Sequence, residues 1–275
     1  MPGPVAQSFL NLLDFEVVDT DVFRAAGVTE SFGPKLFGGQ IGAQALWAAA
    51  CTVPEALAPH SLHGYFLRPG RIELSSQLHV TRVRDGRSFS VRRVEVAQGD
   101  AALFSAMVSF HGAEAGGEYT EPSLPARPEP EPGDEPMVRN STLVIEVASR
   151  TPAVDDEGPW RPPRAFWART RERLPDDPRV HACAVTYISD MGSGFSELDA
   201  PDVPPGGVSL DHAVWFHRAV RADEWLYSDL GPISASGARG VYRGHIYDET
   251  GRLGATLAQE MLLRPDAPYW NRRPG

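Results

Sequence analysis

The sequence predicts an α+β protein in which one long helix packs on an antiparallel sheet, twice over. Three observations carry this. HSLHGYFLRPG from His60 and VSLDHAVWFHR from Val208 both pass from Ser-Leu and an acid or imidazole into an aromatic strand. Each is preceded by a helix-like segment and followed by long alternating stretches, so one module is written twice. Between the copies, 113–137 carries six prolines and seven acids with almost no apolar periodicity, which reads as an exposed linker. The expected division is a first module over 1–112, the acidic Pro-rich linker over 113–137, and a second module over 138–275 that carries the chemistry. Duplicated modules need not keep the same polar residues, and the positions where they differ are where function is sought.

In the first module a strand is expected around Phe15–Val18. GGQIGAQALWAAACTV from Gly38 follows, with Ile41, Ala45, Ala48 and Ala49 at helical spacing, and predicts a buried helix. The strand from Ser61 to Leu67 ends at Pro69-Gly70. LSSQLHVTRVR and SFSVRRVEVA then flank Asp85-Gly86, the strongest short hairpin signal in the chain. ALFSAMVSFH closes the module with Phe104, Ala106, Val108 and Phe110 on one face. In the second module TLVIEVAS and RAFWARTRER are strand candidates, the latter with helical character too. Asp177 and Pro178, as N-cap and first-turn proline, start a helix over RVHACAVTYISD. After a Gly-, Ser- and Pro-rich loop come the strand from Val208, ISASGARGVYRGHIYDE, a turn at Thr250-Gly251, and LGATLAQEMLL.

Composition narrows the function classes. The chain has 275 residues, 42% hydrophobic and 23% charged, which are globular values. A net charge of −10 argues against nucleic acid as the main partner, yet leaves room for a phosphate-bearing small ligand met by a few arginines. Arg68, Arg71, Arg92, Arg93, Arg239 and Arg243 are the candidates, and each is also readable as a solvated strand residue. The first residues lack a basic n-region and a long apolar run, so no secretory signal or membrane anchor is expected. Cys51 and Cys183, in apolar helix-like surroundings, are expected as buried reduced thiols of a cytoplasmic protein. No histidine spacing suits zinc, and no Gly-x-Ser-x-Gly elbow is present, so neither a metal nor an α/β-hydrolase nucleophile is expected. Gly38-Gly39 lacks the preceding strand and following acid of a dinucleotide site, and no cofactor is expected.

FGGQIGAQAL, HSLHGYFLRPG, DGRSFSVRRV, YISD, SLDHAVWFHR, SASGARG and AQEMLLR, in this order and spacing, resemble the acyl-CoA thioesterase II family. The resemblance covers nearly the whole chain apart from the linker and termini. It implies a double-hotdog fold and hydrolysis of an acyl-CoA by an activated water, without a covalent intermediate. It also implies that the catalytic acid is Asp190 of YISD, the hydroxyl Ser209 of VSLDH, and the amide Gln259 of AQEM. Some relatives use threonine where Ser209 stands, and either residue supplies a donor and acceptor hydroxyl.

The residues themselves are compatible with these roles. A carboxylate within reach of a water can deprotonate it, while an amide and a hydroxyl orient that water without adding charge. Gln259 shares a strand face with Leu257, Met261 and Leu263, so a core face there would bury an amide that needs partners. The plainer readings are a backbone-satisfied edge amide for Gln259, a solvated helix-terminus acid for Asp190 and an ordinary strand serine for Ser209. In the first module, Cys51 and Thr52 stand where the second has Asp190, and Ser109 stands near the place of Gln259, which predicts one active site per chain. Gly38, Gly39 and Gln40 at the first helix start are candidate oxyanion donors, with close helix packing as the alternative use of the glycines. Two other functions compete. One is a hotdog enoyl-CoA hydratase built on Asp211-His212, whose adjacent side chains point oppositely. The other is a non-catalytic acyl-CoA binding protein, against which the three retained polar residues weigh. Pairing of modules through their sheets predicts a homo-oligomer.

Overall fold

The computed structural model describes residues 8–28, 35–120, 144–148, 164–196, 198–200 and 202–264. The first half runs α1 (Phe9–Leu12), β1 (Phe15–Asp19), β2 (Val22–Ala25), α2 (Gly38–Ala50), β3 (Leu57–Phe66), β4 (Ser76–Asp85), β5 (Phe89–Gln98) and β6 (Ala101–Gly112). The second half follows with β7 (Ile145–Ala148), β8 (Ala165–Thr170), α3 (Pro178–Ser189), β9 (Val208–Ser209), β10 (Asp211–Phe216), β11 (Leu226–Ser236), β12 (Arg239–Tyr247) and β13 (Leu253–Leu262). All described strand pairs are antiparallel, and they form one continuous sheet ordered β1-β2-β4-β5-β6-β3-β10-β13-β12-β11-β8-β7, with β9 added on β13.

Read outward from the β3–β10 seam, the two halves give the same succession of strands. At the seam itself His63 stands opposite Ala213 and Leu62 opposite Val214. Period-two patterning explains which face each strand buries. Phe104, Ala106, Val108 and Phe110 of β6 are all core residues, as are Leu257, Gln259, Met261 and Leu263 at the end of the second half. RAFWARTRER resolves as a strand, β8, because its alternation buries Phe166, Ala168 and Thr170.

The two longer helices pack on the sheet and against each other. α2 packs on strands β3 to β6 and against α3, which touches β3, β10 and β8. Nearly every α2 side chain from Gly39 to Ala50 is buried, as a helix enclosed on all sides requires. α3 starts as its sequence dictates: the Asp177 carboxylate accepts the Arg179 amide at 2.9 Å and Pro178 occupies the first turn. α2, by contrast, has Phe37 at its N-cap and no capping side chain of its own.

Two expectations need correction. Cys51 is exposed, because it caps the C-terminus of α2 instead of lying inside it, whereas Cys183 is buried in α3; both are free thiols. Arg92 is not a solvated strand residue but fully buried, with its guanidinium spent on Thr52 Oγ1 (2.8 Å), the Thr52, Arg84 and Val91 carbonyls, and the Asp85 carboxylate (2.6 Å). It ties the C-terminal turn of α2 to the β4–β5 hairpin. Arg92→Leu strands these acceptors, and urea denaturation should show a loss of about 2–4 kcal/mol; an unchanged midpoint would rule out this tie. Of the acidic linker, residues 113–120 are exposed coil, and 121–137 lie outside the described residues. Among the described residues no helix is long and apolar enough to cross a membrane.

Candidate active site at the meeting of two helix ends

Asp190 is the C-cap of α3, a position where the helix dipole disfavours a negative charge. The fold offsets this by aiming the carboxylate at the opposite kind of helix end. The Gly39 amide in the first turn of α2 donates a hydrogen bond to it, and a Cβ on Gly38 would stand 2.5 Å from its Oδ2. The acid thus supplies the cap that α2 lacks, from the other half of the chain.

Ser209 and Gln259 close on the same carboxylate. Gln259 Nε2 donates to Asp190 Oδ1 at 2.9 Å and also to Ser209 Oγ, whose hydroxyl lies 3.4 Å from Asp190 Oδ1. The three residues, far apart in sequence, form one hydrogen-bonded cluster. Burial pushes the Asp190 carboxyl above the usual carboxylate range, opposed by His212, the Gln259 amide, the Gly39 N–H and the Ser209 hydroxyl.

Local backbone irregularity makes this convergence possible. The register of β13 slips by one residue between its pairing with β9, Met261 opposite Ser209, and its pairing with β10, Ala258 opposite Ala213. At the slip the Leu210 amide bonds the Glu260 carbonyl, and the Asp211 carboxylate takes the Glu260 amide at 2.7 Å in place of a ladder carbonyl. A bulge of this kind re-aims side chains. Ser209 and His212, three apart and therefore on opposite faces of a regular strand, both turn toward Gln259.

The sequence singles out His212 only as the neighbour of Asp211. It is instead buried, with Nδ1 at 2.5 Å from Gln259 Oε1 and Nε2 at 2.7 Å from Ser189 Oγ. Asp211 holds the bulge and does not share a site with it. The parity rule that separates Asp211 from His212 is observed; His212 stands across from Gln259 in the regular β10–β13 register, and the slip brings Ser209 to the same face.

Of the candidate oxyanion donors, Gly39 has its amide occupied by Asp190. The first ladder bond of α2 runs from the Ile41 amide to the Phe37 carbonyl, so the amides of Gly38 and Gln40 also precede the helix ladder. The Gln40 side chain is buried. The glycines serve close packing as well, since a Cβ on Gly39 would stand 2.5 Å from the Tyr187 carbonyl oxygen. Among its described residues the first half has no comparable cluster: residues 50–52 are Ala, Cys and Thr, and Leu62 faces Val108 across β3 and β6. Among the described residues no group of acids, histidines and cysteines could hold a metal ion.

This sheet and its helices define a hotdog-fold protein: a hot dog fold protein from Alicyclobacillus acidocaldarius shares the architecture with a TM-score of 0.72 at 20% identity, over 96% of this chain and 100% of that one. The more specific assignment follows from sequence. Models of the acyl-CoA thioesterase N-terminal and C-terminal domains match residues 26–111 and 121–263. The acyl-CoA thioesterase II TesB2 from Mycobacterium marinum superposes with a TM-score of 0.74 at 34% identity, covering 97% of this chain and 99% of that one. Acyl-coenzyme A thioesterase 8 from Rattus norvegicus is 33% identical over 281 residues, spanning 92% of this chain and 88% of the relative. The chain belongs to the acyl-CoA thioesterase family.

Proposed function

We propose that this chain hydrolyses acyl-CoA thioesters to a free fatty acid and CoA, with Asp190, Ser209 and Gln259 as its catalytic residues, in a pair of fused hotdog modules divided at the 113–137 linker. The observation that carries the reading is the convergence of those three side chains on the N-terminus of α2. Asp190 takes a proton from a water that the Gln259 amide and Ser209 hydroxyl orient, and the water oxygen attacks the thioester carbonyl carbon. The negative charge that forms on the carbonyl oxygen falls at the positive end of α2, where the Gly38 and Gln40 amides are the donors in this reading. Collapse of the tetrahedral intermediate breaks the C–S bond, and the proton held by Asp190 goes to the departing CoA sulfur. No covalent acyl-enzyme forms.

The matching succession of strands about the β3–β10 seam supports two fused modules. Loss of the acid and the amide from the first half supports one site per chain. Two free cysteines fit a reducing cytoplasmic setting. Exposed Tyr65, Met107 and Trp215 near the seam fit assembly of the chain with copies of itself.

Saturated acyl-CoAs of increasing chain length, supplied with a thiol reagent, test the activity. Free CoA should appear for at least part of the series and fall away in Gln259→Ala. Folded protein that releases no CoA from any of them would overturn the reading, as would full activity in that variant.

A further inference from the structure

We propose that His212 is a positioning residue for the hydrolytic site: it fixes which way round the Gln259 carboxamide stands and is itself held by Ser189. The proposal rests on the site reading above and extends it by one shell of hydrogen bonds. Its basis is the set of proton positions that the distances allow. An ionised Asp190 only accepts hydrogen bonds, so the end of Gln259 that lies 2.9 Å from its Oδ1 has to be the N–H end. Were the amide reversed, two acceptor oxygens would face each other there. With Nε2 toward Asp190 and Ser209, the Gln259 oxygen faces His212 Nδ1 at 2.5 Å and that nitrogen has to carry a hydrogen.

The consequence continues outward. Burial holds the His212 pKa below the usual imidazole value, against the pull of Asp190, so the ring is neutral near pH 7. A neutral ring protonated on Nδ1 leaves Nε2 bare. Ser189 Oγ, 2.7 Å away, then has to donate to it and give up the Thr186 carbonyl, 2.8 Å from the same hydroxyl. Ser189, His212, Gln259 and Asp190 thus form one directional chain of donors that ends on the carboxylate. Ser189 is the last residue of α3 and Asp190 its cap, so the chain begins and ends on neighbouring residues of one helix end. Remove His212 and the Gln259 oxygen loses its donor, so that only the repulsion at Asp190 still opposes the reversal that would turn an acceptor oxygen toward the base.

The test compares kcat, KM and thermal unfolding of the full chain with one acyl-CoA that the wild type turns over. His212→Leu should lower kcat about 10- to 100-fold, the scale on which partners of site residues act, and leave KM within about threefold. His212→Asn, whose amide N–H can stand where Nδ1–H stood, should recover most of that loss. His212→Leu combined with Gln259→Ala should be no slower than Gln259→Ala alone, since the two share one route. If Leu at 212 prevents folding, Ser189→Ala removes a single hydroxyl from the same chain and should still lower kcat several-fold. Wild-type kcat in a folded His212→Leu or Ser189→Ala, equal losses in the Leu and Asn variants, or multiplying losses in the double variant would overturn the positioning role while leaving the site intact. Undiminished turnover in Gln259→Ala would overturn the site reading and this proposal with it.

Discussion

Asp190→Asn should lower kcat about 10²- to 10⁴-fold, the range general-base removal covers, with little change in KM. Asparagine keeps the shape and can still accept from the Gly39 amide, so the loss isolates the proton transfer. The pH profile offers a second readout. Burial raises the Asp190 pKa from its ordinary value of 3.8, so the acid limb of wild-type kcat/KM should lie above that value, and the residual activity of the variant should lack the limb.

Stability should move the opposite way. A carboxyl whose folded pKa is raised keeps its proton in the native state at a pH where the unfolded chain has already lost it. Its contribution to stability therefore falls as pH rises from the unfolded value through the folded one, and below the unfolded value it contributes nothing. At pH 7 the wild type holds a desolvated charge that Asn does not. Asp190→Asn should then unfold at an equal or higher temperature than wild type at pH 7, with the gap closing toward pH 4. A variant that is both inactive and markedly less stable at pH 7 would point to a structural role for the acid.

How much of this could be read from the residues alone depends on whether the information is periodic. Core faces are periodic, so Phe104, Ala106, Val108 and Phe110, and Gln259 among Leu257, Met261 and Leu263, all fall where alternation puts them. The start of α3 is local chemistry, an N-cap Asp177 before Pro178, and it too is legible. Asp190 and Ser209 were not legible from their neighbours; only the family resemblance singled them out. The reason is that both act across the chain. Asp190 gains its partner from a helix end about 150 residues earlier, and Ser209 reaches Gln259 through a register slip. His212 depends on the pairing of β10 with β13, a partnership between strands about 45 residues apart that spacing within either strand does not reveal. Arg92 illustrates the reverse error: a charged residue in an alternating strand looks solvated until its buried acceptors at Thr52 are known.

Gly39→Ala should uncouple the two helix ends, and with them the base from its amide. A Cβ there would lie 2.5 Å from the Tyr187 carbonyl oxygen and 2.6 Å from the Phe37 ring, and neither can yield cheaply. Tyr187 O is backbone in the last turn of α3 and already accepts the Asp190 amide at 3.4 Å; Phe37 packs edge-on against the Tyr187 ring, with centroids 4.8 Å apart. Relief requires α3 to retreat from α2, which lengthens the bond between the Gly39 amide and the carboxylate of Asp190, three residues beyond Tyr187. Overpacking of this size costs about 1–3 kcal/mol, outweighing the gain of up to about 1 kcal/mol that alanine brings to a helix. Urea denaturation should show the difference, and kcat should fall by more than tenfold in the folded fraction. Gly42→Ala, on the same helix, is the control: its Cβ would meet only the Thr186 methyl at 3.1 Å, so helix propensity should roughly offset the crowding and turnover should stay near wild type. Equal tolerance of alanine at 39 and 42 would mean that the closeness of the helix ends does not hold the acid in place.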